Sequence, residues 1–382
     1  MMLLQILTGL WRAVLLLPDA ELPFNFEMKK EENAYVMIIH NDEERIKADE
    51  IVIKGDSLYI KLPVYDSQFR LKVNGNTMEG DWINYSRKEH PVIPFKATFK
   101  NVNRFIPANA PTLDVNGRWE TWMDVTETDS SLAIGVFRQE GNEVGGTFLA
   151  SGGDHRYLEG TISGDTLWMS TFDGSHCWLY RAVKNGTQLS GTFWSGNHYK
   201  SSWHASRNAT IQLPDPESVA AVTMPLTFSF PDADSNFVSL TDERFKGKAI
   251  IVQVMGSWCP NCLDETAFLS DFYIKNKDKG IEIVALDFEK TTDFARISNN
   301  IKRLSARFKT TYPILYAGSV GREEVMKKIP GLENFKSYPT TIYINRQGKV
   351  IEVYSGFSGP ATGVEYEKFI LKFEKTIAEL LK

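Results

Sequence analysis

The chain has 382 residues, of which 42% are hydrophobic and 24% charged, a composition typical of a folded protein with two or three domains. A net charge of −5 without any basic run argues against a nucleic-acid partner. Three cysteines are too few for a disulfide framework, and the lack of a run of about 18 apolar residues predicts no transmembrane span.

The first 17 residues, Met1 to Leu17, are mostly apolar but make a poor secretion signal. Arg12 interrupts the stretch, no cationic segment precedes it, and it contains no cysteine that could carry a lipid. We interpret it as a first β-strand preceded by a few extra residues.

From Trp11 to about Arg207 the chain reads as a duplicated all-β region. This part holds eight of the 9 tryptophans and all six histidines, in short alternating segments separated by turn signals. Five short matches recur in the same order at an offset of about 110 residues. They are Gly9-Leu10-Trp11 with Gly117-Arg118-Trp119, Gly55-Asp56-Ser57-Leu58 with Gly164-Asp165-Thr166-Leu167, Asn74-Gly75-Asn76 with Asn185-Gly186-Thr187, Gly80-Asp81-Trp82 with Gly191-Thr192-Phe193, and Phe95-Lys96-Ala97 with Trp203-His204-Ala205. We therefore predict one β-rich copy over 1–110 and a second over 111–213.

Each copy contains about eight strand-like segments, which predicts an up-and-down barrel or a sandwich. In the second copy they are Arg118–Val125, Leu132–Gln139, Glu143–Ala150, Arg156–Ile162, Thr166–Phe172, His176–Ala182, Gln188–Trp194 and Ser201–Arg207. The Gly-x-Trp that opens each copy resembles the first strand of lipocalin- and avidin-like barrels. The aromatic residues could line a ligand pocket, but we favour the interpretation that they fill the interior. Cys177, which alternates with apolar residues in one of these strands, is expected to be a buried and inert thiol.

A linker over 214–224 separates this region from a predicted α/β domain over 225–382. Strands are expected at Ala249–Met255, Ile281–Phe288, Ile314–Tyr316, Thr340–Asn345 and Val350–Tyr354, and helices at Thr292–Phe308, Arg322–Ile329 and Val364–Leu381. Strands and helices alternate first and a hairpin ends the sheet, which is the pattern of an α/β fold.

The most informative stretch is Gly256-Ser257-Trp258-Cys259-Pro260-Asn261-Cys262, between a continuously apolar strand and a helical pattern. A thiolate at a helix N-terminus is stabilised by free backbone N–H groups, and a cysteine three residues later lies on the same face, so a disulfide can close. Pro260 suits the first helical turn. Half of a zinc site is the alternative, but the remaining ligands are missing, since no histidine follows His204. We favour a redox pair, with no metal and no cofactor.

These motifs, together with Tyr338-Pro339-Thr340-Thr341 before a strand and the lead-in from Pro225 to Lys248, resemble the TlpA/ResA-like thiol-disulfide oxidoreductases. That family has a thioredoxin fold, and the resemblance extends to the wider redoxin and AhpC-TSA-like proteins, here with an added N-terminal β-rich region. It covers roughly residues 222–382.

The resemblance implies a role for each matching residue. Cys259 would be the exposed nucleophile and Cys262 the resolving thiol, while Pro339 would be a cis-proline facing the disulfide. Trp258 is either a platform for the substrate or a cap packed on the helix end. The implied substrate-binding set is Trp258, Pro260, Tyr338, Pro339 and Thr340.

The chain departs from thioredoxin at Gln253, where thioredoxins keep a buried aspartate that takes the proton from the resolving thiol. Glu265 lies three residues after Cys262 on the same helix face, at a position where the resemblance to the TlpA/ResA-like proteins implies a glutamate, and it is our candidate for the catalytic proton relay. An equally weighted alternative is that Glu265 complements the helix dipole, as Asp264 could.

We therefore expect a protein disulfide reductase that acts on a disulfide- or thiol-bearing protein, with an upstream electron donor that the sequence does not identify. The resemblance implies a bacterial cell envelope or periplasmic location. One alternative is a ligand- or partner-binding β-barrel module with an accessory redox domain. A thiol-dependent peroxidase is a weaker alternative, since Gly256 stands where the threonine of peroxidatic sites is expected.

Overall fold

The computed structural model of the chain describes residues 6–32, 34–100, 103–123, 130–216 and 220–382. Three parts of the sequence-based expectations lie outside the described residues: the first five residues, the end of the predicted strand at 124–125, and linker residues 217–219. The chain divides into two compact units, the first being Met1–Phe148 with His155–Gln212 and the second Leu149–Asp154 with Leu213–Lys382.

Two nine-stranded antiparallel sheets account for most of the first unit. The first sheet contains β1 (Gly9–Leu16), β2 (Glu21–Glu31), β3 (Ala34–Asn41), β4 (Glu44–Ala48), β5 (Glu50–Lys54), β6 (Ser57–Lys61), β7 (Ser67–Asn74), β8 (Thr77–Asn84) and β9 (Val92–Phe99). The second contains β10 (Gly117–Met123), β11 (Ser131–Glu140), β12 (Glu143–Ala150), β13 (Gly153–Asp154), β14 (Leu158–Ser163), β15 (Thr166–Phe172), β16 (Cys177–Asn185), β17 (Gln188–Ser195) and β18 (Tyr199–Arg207).

Both sheets curl into barrel-like forms. In the first, the order is β4-β3-β2-β1-β9-β8-β7-β6-β5, so the two edge strands are consecutive in the chain and only Asp49 separates them. In the second, β11 pairs with β12 as well as with β10, which joins the two sides of the sheet. The prediction of an all-β N-terminal region is confirmed, and its two sheets are barrel-like.

Matching positions of the two sheets share their local geometry. Trp11 and Trp119 each donate the indole N–H to the carbonyl four residues earlier, at 3.1 and 2.8 Å. Gly80 and Gly191 each lie so close to the adjacent strand that a Cβ atom would be 2.1 or 2.2 Å from a carbonyl oxygen. Only glycine fits such an approach, so the repeated glycines have a packing role.

Aromatic side chains fill the interior of the first unit. Trp11, Phe24, Phe69 and Phe95 are fully buried, and Phe172 of the second sheet stacks on Phe24 of the first at a centroid distance of 4.6 Å. One apolar cluster therefore takes residues from both sheets, and large aromatic groups are among its members.

The second unit is built on a five-stranded mixed sheet flanked by helices. Its short strands are β19 (Ala221–Val222), β20 (Ser229–Pro231), β21 (Phe237–Ser239) and β25 (Leu332–Glu333), and its sheet strands are β22 (Ala249–Met255), β23 (Ile281–Glu289), β24 (Ile314–Ser319), β26 (Thr340–Ile344) and β27 (Val350–Ser355). The helices are α1 (Pro260–Asn276), α2 (Phe294–Phe308), α3 (Arg322–Lys328) and α4 (Val364–Leu380). The sheet order is β24-β23-β22-β26-β27, parallel through its first three strands and antiparallel beyond β22.

The central strand β22 is buried on both faces, as its continuous apolar sequence predicts. One face, with Val252 and Val254, joins the apolar cluster beneath the sheet, while Gln253 on the other face lies against α1. In the described part of the chain, no helix combines the length and the apolar character that crossing a membrane requires.

Candidate active site

The two cysteines of the Cys-x-x-Cys motif lie where β22 passes into α1. Cys259 is the N-cap of the helix, and its sulfur accepts a hydrogen bond from the backbone N–H of Cys262 at 3.3 Å. Pro260 occupies the first helical position, as its lack of an N–H predicts. Both cysteines are free thiols in this structure.

The expectation that Cys259 is exposed is wrong for this structure, because its relative exposure is 5%. Its thiol donates to the carbonyl oxygen of Tyr338 at 3.6 Å and caps the helix. The Tyr338 loop is 79 residues away in sequence, so its cover over the sulfur depends on the tertiary fold.

Cys262 is fully buried within the first turn of α1. Burial raises the pKa of its thiol well above the ordinary value, and the hydrogen bond to Cys259, the charge of Cys259 and the charge of Glu265 raise it further. This thiol is therefore protonated at neutral pH and needs a base before it can act as a nucleophile.

Glu265 lies behind Cys262 and is 1% exposed. Its carboxylate accepts hydrogen bonds from the Gln253 amide at 2.8 Å and from the Thr341 hydroxyl at 2.6 Å. Burial raises the pKa of Glu265 to about 7, although both hydrogen bonds act in the opposite direction. The Gln253 amide also reaches the carbonyl of Cys262 at 3.3 Å, so it links the acid to the backbone of the resolving cysteine.

Glu265 is placed poorly for the alternative role of complementing the helix dipole. The first turn of α1 contains no acidic residue, and Glu265 comes after that turn with its carboxylate directed into the interior. Because dipole effects fall off beyond the first turn, the burial of this acid needs another explanation.

The loop before β26 supplies the opposite wall of the site. The Tyr338–Pro339 peptide bond is cis, as the resemblance implied. The Tyr338 ring meets the rings of Trp258 and Phe335 edge-on, at centroid distances of 5.3 and 4.9 Å. Thr340 is fully buried and donates its hydroxyl to the Ser337 carbonyl at 2.8 Å, so its side chain supports this loop from inside.

Trp258 is tied to the end of the neighbouring strand. Its indole N–H donates to the carbonyl of Phe288 at 2.9 Å, and the ammonium of Lys290 lies 4.5 Å from the ring centroid. These contacts fix the ring beside the N-terminus of α1, which is the geometry of a helix-end cap. The predicted roles in substrate binding stay predictions for all five residues, Trp258, Pro260, Tyr338, Pro339 and Thr340.

Two buried acids next to the motif were not foreseen from the sequence. Asp287 and Glu289 are 0% and 3% exposed, and the backbone N–H of Ser257 donates to both, at 3.1 and 3.2 Å. They stand at the carboxyl end of a parallel strand that is otherwise almost wholly apolar, and ligand and catalytic sites form at such ends. That placement is the signal in the sequence that could have identified them.

Comparisons with known proteins agree with this geometry. The family model described as Redoxin matches residues 220–368. The thiol-disulfide oxidoreductase ResA of Bacillus thuringiensis subsp. konkukian is 29% identical over 150 residues, which are 38% of this chain and 73% of that protein. ResA of Bacillus anthracis is 30% identical over 129 residues, covering 34% of this chain and 66% of its own length.

Among solved structures, a thiol:disulfide interchange protein of the thioredoxin family from Chlorobium tepidum TLS aligns with 45% of this chain and 100% of its own. It is 21% identical and the TM-score is 0.31. The sequence-based resemblance is confirmed by the family model and the relatives. Residues 220–368 thus form a thioredoxin-like redoxin domain of the thiol-disulfide oxidoreductase class that includes ResA, joined to an added all-β region.

Proposed function

We propose that this protein is a protein disulfide reductase that works through Cys259 and Cys262 by mixed-disulfide exchange. The observation that carries the proposal is the position of the Cys259 sulfur at the N-terminus of α1, one helical turn from the Cys262 thiol and 3.6 Å from the Tyr338 carbonyl. A sulfur in this place can be attacked by the second thiol without any rearrangement of the backbone.

The first step is attack by the Cys259 thiolate on a substrate disulfide. A Cys259–substrate disulfide forms, the substrate S–S bond breaks, and one substrate sulfur leaves as a thiolate that takes a proton from water. The free backbone N–H groups at the start of α1 stabilise the attacking thiolate, and the Cys262 N–H already donates to this sulfur.

The second step is attack by Cys262 on the Cys259 sulfur. It forms the Cys259–Cys262 disulfide and releases the second substrate thiol, so the substrate gains two electrons and two protons while the protein loses them. An external dithiol must then return both cysteines to the reduced state, and we propose it as the upstream electron donor.

Glu265 is proposed to take the proton from Cys262 during the second step. Its pKa of about 7 leaves it partly ionised at neutral pH, which suits an acceptor that must also give the proton back. The Gln253 amide donates both to the carboxylate of Glu265 and to the backbone carbonyl of Cys262, so the acid and the resolving cysteine share a hydrogen-bond partner.

The proposed substrates are proteins that carry accessible disulfides, bound as extended segments against the Tyr338–Pro339 loop beside Trp258. We also propose that the protein works in the bacterial cell envelope or periplasm, where protein disulfides form and persist. The ResA relatives, named as thiol-disulfide oxidoreductases, support this substrate class.

The test is to trap the first intermediate. Replacing Cys262 by Ser removes the resolving thiol, so the full-length variant should accumulate covalent adducts on Cys259 that reducing agent releases. Native insulin, a disulfide-bearing probe, should give such an adduct in a non-reducing gel and in mass spectra. Cys259→Ser protein is the matched control and should give none, whereas adducts on Cys177 or no adduct at all would exclude the proposal.

A further inference from the structure

The turn ahead of Cys259 is held by the end of β23. The Ser257 N–H donates to the carboxyls of Asp287 and Glu289, and the carbonyl of Phe288, between them, accepts from the Trp258 indole at 2.9 Å. Three consecutive residues of one strand thus bind the two residues that precede the attacking cysteine. A change at this strand end is transmitted directly to the position of Cys259.

Asp287 and Glu289 are an unusual pair, because one N–H cannot compensate two buried carboxylates. They are two residues apart on one strand and so share a face. Among the described residues neither acid forms an ion pair, and Asp287 Oδ2 has no hydrogen-bond partner. If both carboxyls were ionised, two negative charges would therefore be buried side by side with only the Ser257 N–H between them. A proton on one carboxyl removes both problems, since it cancels a charge and forms an O–H···O bond between the two acids.

Glu282, on the same strand, shows the contrasting arrangement. Its buried carboxylate accepts from Lys248 at 3.0 Å, from Arg244 at 3.2 Å and from the Tyr273 hydroxyl at 3.1 Å. Two cations therefore balance this single acid. Among the described residues, the domain thus places two cations on the buried carboxylate of Glu282 and none in an ion pair with Asp287 or Glu289.

We propose that Asp287 and Glu289 are positioning residues that share one proton at neutral pH, hold the turn through Ser257, and lower the reactivity of Cys259 when that proton is lost. This rests on the proposed role of Cys259 as the attacking thiol. Loss of the proton would break the O–H···O bond and add a negative charge beside Ser257, which precedes Cys259 by two residues in the chain, and like charge disfavours a thiolate. Burial and the charge of Glu289 raise the pKa of Asp287, in agreement with a retained proton.

The other titratable or charged groups near Asp287 and Glu289 do not produce the same pH-dependent change in Cys259 reactivity. Tyr338 has a pKa raised mainly by burial, so its phenol stays neutral through the range of interest. Lys290 follows the pair and places its ammonium over Trp258, and Tyr316 is the register neighbour of Asp287 on β24. The Cys259 and Cys262 thiols are the remaining titratable groups, and Cys259 is the group whose reactivity is measured.

The experiment measures the alkylation rate of Cys259 with iodoacetamide in the reduced, full-length protein from pH 6 to pH 9, by mass spectrometry. Asp287→Asn and Glu289→Gln each leave one carboxyl with an amide neighbour, which mimics the protonated pair. We expect each variant to match the unmodified protein at pH 6 and to exceed it about three- to tenfold at pH 9, as expected for one charge removed nearby. Glu282→Gln is the matched control and should follow the unmodified protein throughout.

The deciding quantity is the alkylation rate of each variant divided by that of the unmodified protein. If this ratio is the same at every pH, the two acids have a merely structural role, and if it is already above one at pH 6, they share no proton. Either result overturns the proposal. Infrared spectroscopy gives a second measurement that does not depend on the folding of these variants. In Glu265→Gln protein at pH 7 one protonated carboxyl should remain, and its absence would also overturn the proposal. Neither measurement requires turnover, so their failure is distinct from failure of the Cys262→Ser trap.

Discussion

Cys177 and Cys262 lie in different units of the molecule, and both are wholly buried thiols. Burial is the largest cause of the raised pKa in both cases, and for Cys177 it raises the pKa to about 12. Cys177 lies in β16 within the apolar cluster shared by the two barrel-like sheets, whereas Cys262 lies in the first turn of α1. Two thiols with the same degree of burial thus have very different neighbours.

Cys262 and Cys177 differ in whether a base and a second sulfur lie close to the thiol. Cys262 has a second sulfur within its own helical turn and interacts with Glu265, an acid with a pKa of about 7. Near Cys177, the Arg87 guanidinium offsets only part of the burial effect, and Asp173 raises the pKa further. Burial therefore makes a thiol inert in either unit, and only a nearby base and a partner sulfur can make it reactive again.

The largest expected effect on activity comes from replacing the cysteines themselves, which tests whether Cys177 is inert and the Cys259–Cys262 pair is reactive. Replacing Cys259 by Ser should lower the rate of insulin disulfide reduction at least about 10³-fold, because the attacking group is lost. Replacing Cys177 by Ser should leave the rate unchanged. Mass spectrometry of the oxidised, alkylated protein should show one internal link, between Cys259 and Cys262, with Cys177 labelled only after denaturation. A Cys177 cross-link to either of the others would contradict the comparison.

The sequence predicted the parts of this site that depend on local order. The apolar run before the motif, the proline after Cys259 and the helical spacing beyond it together specify strand, turn and helix. The strands and helices predicted in this domain begin and end within three residues of their observed counterparts, whereas the short strands β19, β20, β21 and β25 were not predicted. Cys177 was identified as buried from the alternation of one strand, which is also a local pattern.

The partners of Glu265 could not be predicted, since they depend on strand register. Gln253 and Thr341 are directly opposed across β22 and β26, and a shift of one residue would turn Thr341 to the other face of the sheet. The pairing of Asp287 with the Ser257 turn depends on register in the same way, through the parallel contact of β22 with β23. The alternation of apolar and polar residues in a sequence predicts which face of a strand is buried. It does not predict which residue of the neighbouring strand lies opposite a given residue.

The next effect concerns stability at the site of Cys262. Folding raises the pKa of Glu265 from 4.5 to about 7, so the unfolded chain releases this proton first as the pH rises. The unmodified protein should therefore lose stability between pH 4.5 and 7, by up to about 3 kcal/mol above that range, while Glu265→Gln protein does not. Urea denaturation at pH 4 and pH 8, followed through labelling of Cys262, measures the difference. A difference in unfolding free energy between the two proteins that does not change with pH would show that folding does not raise the pKa of Glu265. At pH 8 Glu265→Gln protein should be more stable than the unmodified protein. Glu282→Gln protein should be less stable than the unmodified protein at this pH, because Lys248 and Arg244 lose their carboxylate partner.

The smallest effect concerns the hydrogen bond that Thr341 donates to Glu265 at 2.6 Å. This bond stabilises the ionised acid, so Thr341→Val should raise the pKa of Glu265 above about 7, by roughly one unit. A smaller ionised fraction at pH 7 means fewer molecules ready to take the proton of Cys262, and the resolving step should slow about fivefold.

Stopped-flow reaction with 5,5′-dithiobis(2-nitrobenzoic acid) separates the two steps, because attack by Cys259 and resolution by Cys262 each release one coloured thiolate. In Thr341→Val protein the first release should keep its rate, while the pH midpoint of the second moves upward. Thr376→Val is the matched control, since Thr376 donates to the carboxylate of Glu352 at 2.8 Å in the same domain. If both variants, or neither, shift the second release, then the proton does not pass to Glu265, and the environment of Cys262 would differ from that of Cys177 only in its partner sulfur.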